Sequence, residues 1–321
     1  MILVTRYPPG SALDLLRQVD RVAVWEADCV MPRDELLESV AEADGLYCML
    51  TDRIDRELLA AASNLRAVSN MAVGVDNIDL VACTERGIPV GHTPGVLTEA
   101  TADLAFGLLI AAARRLREGM EYVRDGGWGE WEPDLLLGQD VYESVLGIVG
   151  MGRIGAAVAR RGAGFGMSIV YASPSPKPAV EHELGAVRHD LSGVLAAADH
   201  LVITAALNAS TYHMINERSL RLMKPHATLI NVARGPLVDT DALVAALQRG
   251  GIGAAALDVT DPEPIAADHP LTKLTNCFIT PHLGSASAKT RAAMGDLAAR
   301  NLLLALQGRP MEACANFVGY Q

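Results

Sequence analysis

Three residues in the second half of the chain are of the types that acid–base work on an anion requires. Arg234 stands in Asn231-Val-Ala-Arg-Gly235, Glu263 in Leu257-Asp-Val-Thr-Asp-Pro-Glu-Pro264, and His282 in Thr280-Pro-His-Leu-Gly284. A guanidinium presents a planar fork that grips a carboxylate through two bonds, which an ammonium cannot do. An imidazole gives or takes a proton near neutral pH, and a neighbouring carboxylate orients its ring and favours the imidazolium. Singly, each has a plain alternative: a surface cation, a turn residue, a buried hydrogen-bonded histidine. Each, however, directly follows a short apolar run of strand character. In open parallel sheets, ligands bind beyond the carboxyl ends of the strands, so the three read as one constellation.

A second motif supplies the other half of the chemistry. Ser144-Val-Leu-Gly-Ile-Val-Gly150-Met-Gly152-Arg153-Ile154-Gly155 reads as strand, glycine turn and helix, with Gly150, Gly152 and Gly155 in G-x-G-x-x-G spacing. Gly150 permits the tight turn, Gly152 lets backbone approach a pyrophosphate at the helix N-terminus, and Gly155 lets helix pack on strand. In this strand–turn–helix context the motif reads as a dinucleotide site, the plain alternative being a glycine-rich turn in another α/β protein. The next strand, Ser168 to Tyr171, should end in the acid that binds the adenosine ribose of NAD; Ala172 and Ser173 stand there instead. Without that carboxylate a 2′-phosphate is not repelled, and Ser173, Ser175 and Lys177 can donate to one. No Arg lies in this loop. NADP is therefore the preferred cofactor and NAD the alternative.

The elements that must position these residues follow from the pattern of the chain. Short Val/Ile-rich runs alternate with amphipathic segments: Ile2–Thr5, Ala23–Trp25, Gly45–Leu50, Arg66–Asn70 and Pro89–His92, then Val145–Val149, Ser168–Tyr171, His200–Thr204, Thr228–Val232, Ala254–Asp258 and Cys277–Thr280. Runs apolar on both faces with helices between them mean parallel α/β sheets. Eleven such runs exceed one ordinary sheet, so two domains are expected. One long helix is expected from Thr98 toward Arg124, ending at Asp125-Gly126-Gly127. A final helix over about 286–307 is expected to return to the first domain. The boundaries read as 1–98 with 287–321 for one domain and 99–286 for the other.

Composition narrows the function classes. The 321 residues are 50% hydrophobic and 20% charged, which excludes a disordered chain, and the net charge of −11 offers no basic face for nucleic acid. The longest apolar run, Leu104 to Ala113, is half of what a bilayer crossing needs. Five scattered cysteines, never in C-x-x-C, argue against a zinc site or a disulfide framework and for a reducing, cytoplasmic setting. No metal site is expected.

With these motifs in order, the sequence resembles the D-isomer-specific 2-hydroxyacid dehydrogenase family, and within it the glyoxylate/hydroxypyruvate reductases. The likeness runs from about Gly45 to Pro310. It rests on Ala72-Val-Gly-Val-Asp-Asn-Ile-Asp79, His92-Thr-Pro94, the Gly150 turn, Asn231 to Gly235, Leu257 to Pro264, and Pro281-His-Leu-Gly-Ser285. It implies a Rossmann cofactor domain inserted into a flavodoxin-like substrate domain, both doubly wound parallel sheets. It implies that Arg234 holds the substrate carboxylate, that His282 passes the proton, and that Glu263 pairs with it. The amides of Val73 and Gly74, with Leu50, Trp131 and Ser285, would meet the substrate. Gly150, Gly152, Arg153, Ile154, Gly155, Ser173, Lys177, Val232, Asp258 and Gly284 would meet the cofactor. Trp131 would reach a partner subunit in a homodimer. The implied activity is NAD(P)H-dependent reduction of small 2-oxo acids. The alternatives are an NAD(H)-sensing binding protein of the corepressor type, or a dehydrogenase of the same family for another acid. The Ala205-Ala-Leu207 loop departs from the Thr-Pro-Leu of many relatives.

Overall fold

The computed structural model describes residues 1–317. Two compact units emerge: one runs from Met1 to Leu97 and resumes at Ser285, and the other spans Thr98–Gly284. The first unit alternates strictly: β1 (Ile2–Val4), α1 (Ala12–Arg17), β2 (Val22–Val24), α2 (Arg33–Val40), β3 (Gly45–Cys48), α3 (Arg56–Ala61), β4 (Ala67–Asn70), α4 (Leu80–Glu85) and β5 (Val90–Gly91). All five strands pair in parallel in the order β2-β1-β3-β4-β5. This is the flavodoxin-like order, whose winding reverses between β1 and β3. One face is covered by α2, α3 and α4 through Leu36, Val40, Leu58, Leu59 and Cys83.

The second unit opens with α5 (Thr98–Ala113) and α6 (Leu116–Arg124). It continues through β6 (Val145–Val149), α7 (Arg153–Gly164), β7 (Ser168–Ala172), α8 (Pro178–Leu184), β8 (Val187–Arg188), α9 (Leu191–Ala197) and β9 (His200–Ile203). It closes with α10 (Glu217–Leu220), β10 (Thr228–Asn231), α11 (Thr240–Gln248), β11 (Ala254–Leu257), α12 (Pro270–Lys273) and β12 (Cys277–Ile279). The seven strands are parallel in the order β12-β11-β10-β9-β6-β7-β8. The first and fourth strands of the unit, β6 and β9, are neighbours, which is the Rossmann switch point. One apolar core holds α5 and α7 against the sheet through Ala105, Leu109, Leu146, Ile148 and Val158. The opposite face packs Leu195, Leu201, Leu229, Leu243 and Leu247. Two doubly wound parallel sheets were expected from the sequence, and two are found.

The long helix expected from Thr98 to Arg124 is in fact two helices. Arg115 adopts a left-handed backbone with φ of 51°, and α6 starts at the next residue. The cause is a returning stretch of chain: the Ala113 carbonyl accepts from the Gln139 backbone N–H at 2.8 Å instead of continuing the helix ladder. A Cβ on Gly138 would fall 2.4 Å from that same carbonyl, so only glycine lets the returning chain come this close. The strand β8, only two residues long and exposed, was not among the runs read from sequence.

The last helix, α13 (Ala288–Leu306), belongs to the first unit and lies across β3 and β4 and beside α1. The Tyr47 hydroxyl donates to the Gly295 carbonyl at 3.2 Å and the Ser69 hydroxyl to that of Ala298 at 2.7 Å. Among the described residues no helix is long and apolar enough to cross a membrane. Asn301 of α13 is wholly buried; its Nδ2 donates to the His92 carbonyl and its Oδ1 accepts from Ala313 N–H, both at 3.0 Å. Replacing it by an apolar side chain of similar size leaves both backbone groups unpaired in the interior. Asn301→Leu is expected to cost about 2–4 kcal/mol in urea unfolding; a loss under about 1 kcal/mol would show that water replaces the amide.

Candidate active site

The strands β10, β11 and β12 are neighbours, so whatever follows their carboxyl ends is gathered at one edge of the second unit's sheet. Arg234 lies three residues beyond the end of β10. Its turn is braced by Asn231, whose buried amide donates to the Arg234 carbonyl at 2.9 Å and accepts from Ala233 N–H at 3.0 Å. The chain then passes so close to the β11 loop that a Cβ on Gly235 would meet the Thr260 carbonyl oxygen at 1.9 Å. Glycine is therefore required where the Arg234 turn crosses the Glu263 loop.

Asp258 follows β11 and is buried. Its Oδ1 accepts from the Thr280 hydroxyl at 2.6 Å and from Leu283 N–H at 2.7 Å, and its Oδ2 from Gly284 N–H at 2.7 Å. Its own carbonyl accepts from His282 N–H at 3.0 Å. One carboxylate thus clamps the turn that carries His282. That turn needs holding: His282 sits at φ of 55°, a left-handed conformation that a non-glycine residue adopts at a cost.

In this position His282 Nδ1 bonds Glu263 Oε1 at 2.6 Å. The second Glu263 oxygen accepts from Thr260 N–H at 3.3 Å. Burial alone would push the Glu263 carboxyl up. The hydrogen bond and charge of His282, the Thr260 amide and the charge of Arg234 outweigh it, and the group lies below the ordinary carboxylate value. Glu263 is therefore an anion throughout the neutral range. With Nδ1 turned to Glu263, Nε2 is the nitrogen that points away from it.

The glycine turn after β6 has the form its spacing predicts. Gly150 has φ of +99°, and a Cβ there would meet Ala205 N at 2.5 Å. A Cβ on Gly155 would meet the Gly150 carbonyl at 2.3 Å. At Gly152 a Cβ would meet nothing within 4 Å. Gly152 also begins α7, and no side chain caps that helix, whereas Asp190, Asn216 and Asp239 cap α9, α10 and α11. Open space before uncapped N–H groups fits a bound pyrophosphate. Arg153 and Ile154 form the first turn of α7. Val232 is buried at the end of β10, and the Gly284 N–H is engaged by Asp258.

A cavity of about 560 Å³ extends from this turn, lined by Gly150, Ser173, Pro174, Arg188, His189 and Asp190 among others. Lys177 does not line this cavity; its Nζ donates to the Ser175 hydroxyl at 3.2 Å. Although the loop after β7 contains no Arg, one from a neighbouring strand reaches it. Arg188, on the neighbouring strand β8, donates to the Ser173 carbonyl through Nε at 3.1 Å and Nη2 at 3.0 Å, and to the Pro174 carbonyl at 3.0 Å. Sequence reasoning confined to the loop could not find it. The usable signal was an arginine in the run between α8 and α9.

The remaining expected residues lie elsewhere. Leu50 follows β3 and Val73 and Gly74 follow β4, in the first unit. Here Asn70 and Asn77, not singled out from sequence, order the backbone: Asn70 Nδ2 donates to the Gly74 carbonyl at 3.0 Å and to Asn77 Oδ1 at 3.1 Å. Asn77 Nδ2 donates to the carbonyls of Met49 at 3.2 Å and Asp52 at 2.8 Å. His92 Nδ1 lies 3.0 Å from the Val73 carbonyl. Ser285 opens the return into the first unit. Trp131 is 80% exposed, in the irregular stretch after α6. Among the described residues no cluster of His, Cys, Asp and Glu is arranged to hold a metal ion.

Known proteins share this architecture. Residues 106–284 match the D-isomer specific 2-hydroxyacid dehydrogenase, NAD binding domain. The glyoxylate reductase of Thermococcus onnurineus is 48% identical over 306 residues, covering 94% of this chain and 91% of that protein. The crystal structure of the TT0316 protein from Thermus thermophilus superposes with a TM-score of 0.91 at 48% identity, over 98% of this chain and 99% of that one. That of an NADPH-dependent glyoxylate/hydroxypyruvate reductase from Sinorhizobium meliloti, in complex with NADP and malonate, gives 0.84 at 33% identity, over 98% and 96%.

The lowered Glu263 carboxyl has a consequence for stability. A group whose value falls on folding stabilises the fold above its ordinary range, and that contribution is lost as pH drops through the lowered value. From about pH 5 downward, through the lowered value, wild type should lose a component of urea resistance that Glu263→Gln lacks. Parallel profiles for the two proteins would mean the pair contributes nothing to stability.

Proposed function

The chain belongs to the D-isomer specific 2-hydroxyacid dehydrogenase family, and from that membership we propose that it reduces small 2-oxo acids, glyoxylate and hydroxypyruvate, with NADPH preferred over NADH. The observation that carries the reading is the His282–Glu263 pair beside Arg234 at the strand edge of a dinucleotide-binding sheet. The bound nicotinamide supplies the hydride. Arg234 binds the substrate carboxylate through its fork and withdraws charge from the adjacent carbonyl. His282, oriented by Glu263 through Nδ1, donates a proton from Nε2 to the carbonyl oxygen and takes it back in the oxidation direction. Asp258 fixes the turn from which His282 acts. Gly150, Gly152, Arg153, Ile154 and Gly155 hold the pyrophosphate region, Val232 and Gly284 with Asp258 the nicotinamide side, and Ser173 and Lys177 the adenosine ribose. Leu50, Val73, Gly74, Trp131 and Ser285 are assigned to substrate. These assignments rest on the match of motifs to the family and on the geometry of each element. Relatives named as glyoxylate reductases support the substrate class, and the missing acid after β7 supports NADPH.

The site is proposed to work in a cytoplasmic homodimer. All five cysteines are free thiols, which suits a reducing compartment. The helix α6 buries none of its residues, and Leu116, Met120 and Val123 form an exposed apolar stripe at i, i+4 and i+7. Trp128, Trp131, Leu137 and Tyr142 extend it, each at least 60% exposed. A second copy of the chain is the occupant proposed for this face.

Two expectations follow. His282→Ala should lower turnover with glyoxylate or hydroxypyruvate about 10²–10⁴-fold in a nicotinamide absorbance assay, with cofactor affinity retained; undiminished turnover would remove His282 from the mechanism. Met120→Asp with Val123→Asp should convert a dimer to a monomer in sedimentation velocity. A monomeric wild type at assay concentration would overturn the dimer.

A further inference from the structure

We propose that Arg188, carried on the edge strand β8, is the residue that selects NADPH over NADH by pairing with the 2′-phosphate. The inference rests on the cofactor reading above and adds a specificity determinant that lies outside the loop where the family motif would place one. In the register of the sheet Arg188 stands opposite Tyr171, next to the end of β7, where the ribose-binding acid of an NAD site would follow. Its guanidinium is fixed in advance: Nε and Nη2 are held by the carbonyls of Ser173 and Pro174. Neutral carbonyls orient the cation without cancelling its charge. The group therefore lines the cavity that runs from Gly150 to Ser173 with its positive charge intact.

The surroundings are balanced toward an anion. Lys177 lies on the same loop, and its backbone N–H donates to the Tyr171 hydroxyl at 2.8 Å, which ties the loop to β7. Of the nearby carboxylates, Asp190 lines the cavity but caps α9 through Gly193 N–H at 2.7 Å, and Glu181 accepts from the Tyr171 hydroxyl. With Nε and Nη2 occupied by backbone carbonyls, a phosphate dianion gains a pre-oriented positive charge and the Nη1 donors, whereas the bare ribose hydroxyl of NADH gains little from them.

The test is the dissociation constant of NADPH and of NADH, read by nicotinamide fluorescence without substrate, for wild type, Arg188→Gln and Arg188→Lys. Gln keeps an amide donor for the Ser173 carbonyl while removing the charge. The expected result is about a 10- to 100-fold weaker NADPH complex for Arg188→Gln, NADH affinity within about twofold, and partial recovery with Lys. If Arg188→Gln binds NADPH as wild type does, or loses both cofactors equally, Arg188 does not read the phosphate. If wild type itself prefers NADH, the preference for NADPH falls. Arg188 is then judged separately, by whether its substitution weakens NADPH alone.

Discussion

The active-site edge depends on one buried carboxylate. Asp258 is removed from water, and a lone buried anion would be prohibitively costly. Three donors of the 280–284 turn supply the compensation, two of them backbone N–H groups. The exchange is mutual: the turn satisfies the hydrogen-bonding capacity of Asp258, and Asp258 holds His282 in a left-handed backbone conformation. From that fixed point the rest follows. The imidazole meets Glu263, Glu263 stays ionised because His282 and Arg234 face it, and the Arg234 turn reaches the same loop because Gly235 has no side chain. The acid–base pair is thus set by backbone geometry more than by the two side chains themselves.

Much of this was legible in the residues. Parallel sheets announced themselves because strands buried on both faces must be continuously apolar, and the glycine turn because its three positions each have a steric reason. Arg234, Glu263 and His282 could be placed at one edge because they follow consecutive strands. Other features were hidden for physical reasons. Asp258 looks in sequence like another acid at a strand end, and only its three donors reveal it as a clamp. The helix break at Arg115 has no local signal. It is caused by a chain segment returning at Gln139 to take the Ala113 carbonyl. A two-residue strand such as β8 carries too little pattern to be read at all, so the cation it brings to Ser173 was invisible from the loop it serves.

The proposed acid–base residues and the proposed ribose-binding residues lie on different parts of the same sheet. Arg234, Glu263 and His282 sit beyond β10, β11 and β12 and are braced by buried groups such as Asn231 and Asp258. The proposed ribose end lies at the opposite margin, where both residues of the edge strand β8 are exposed. Substitution at that margin perturbs little of the core, while the bracing at the other cannot change piecemeal.

The division of the first unit into two stretches of chain bears on biosynthesis. Its five strands leave the ribosome first, yet the face of β3 and β4 that carries Tyr47 and Ser69 is covered by α13. The whole of the second unit is translated in between. The second unit therefore has all its strands and helices synthesised before the first unit does. Through that interval the early sheet presents an unfinished apolar surface, the condition under which a nascent chain most needs protection from aggregation.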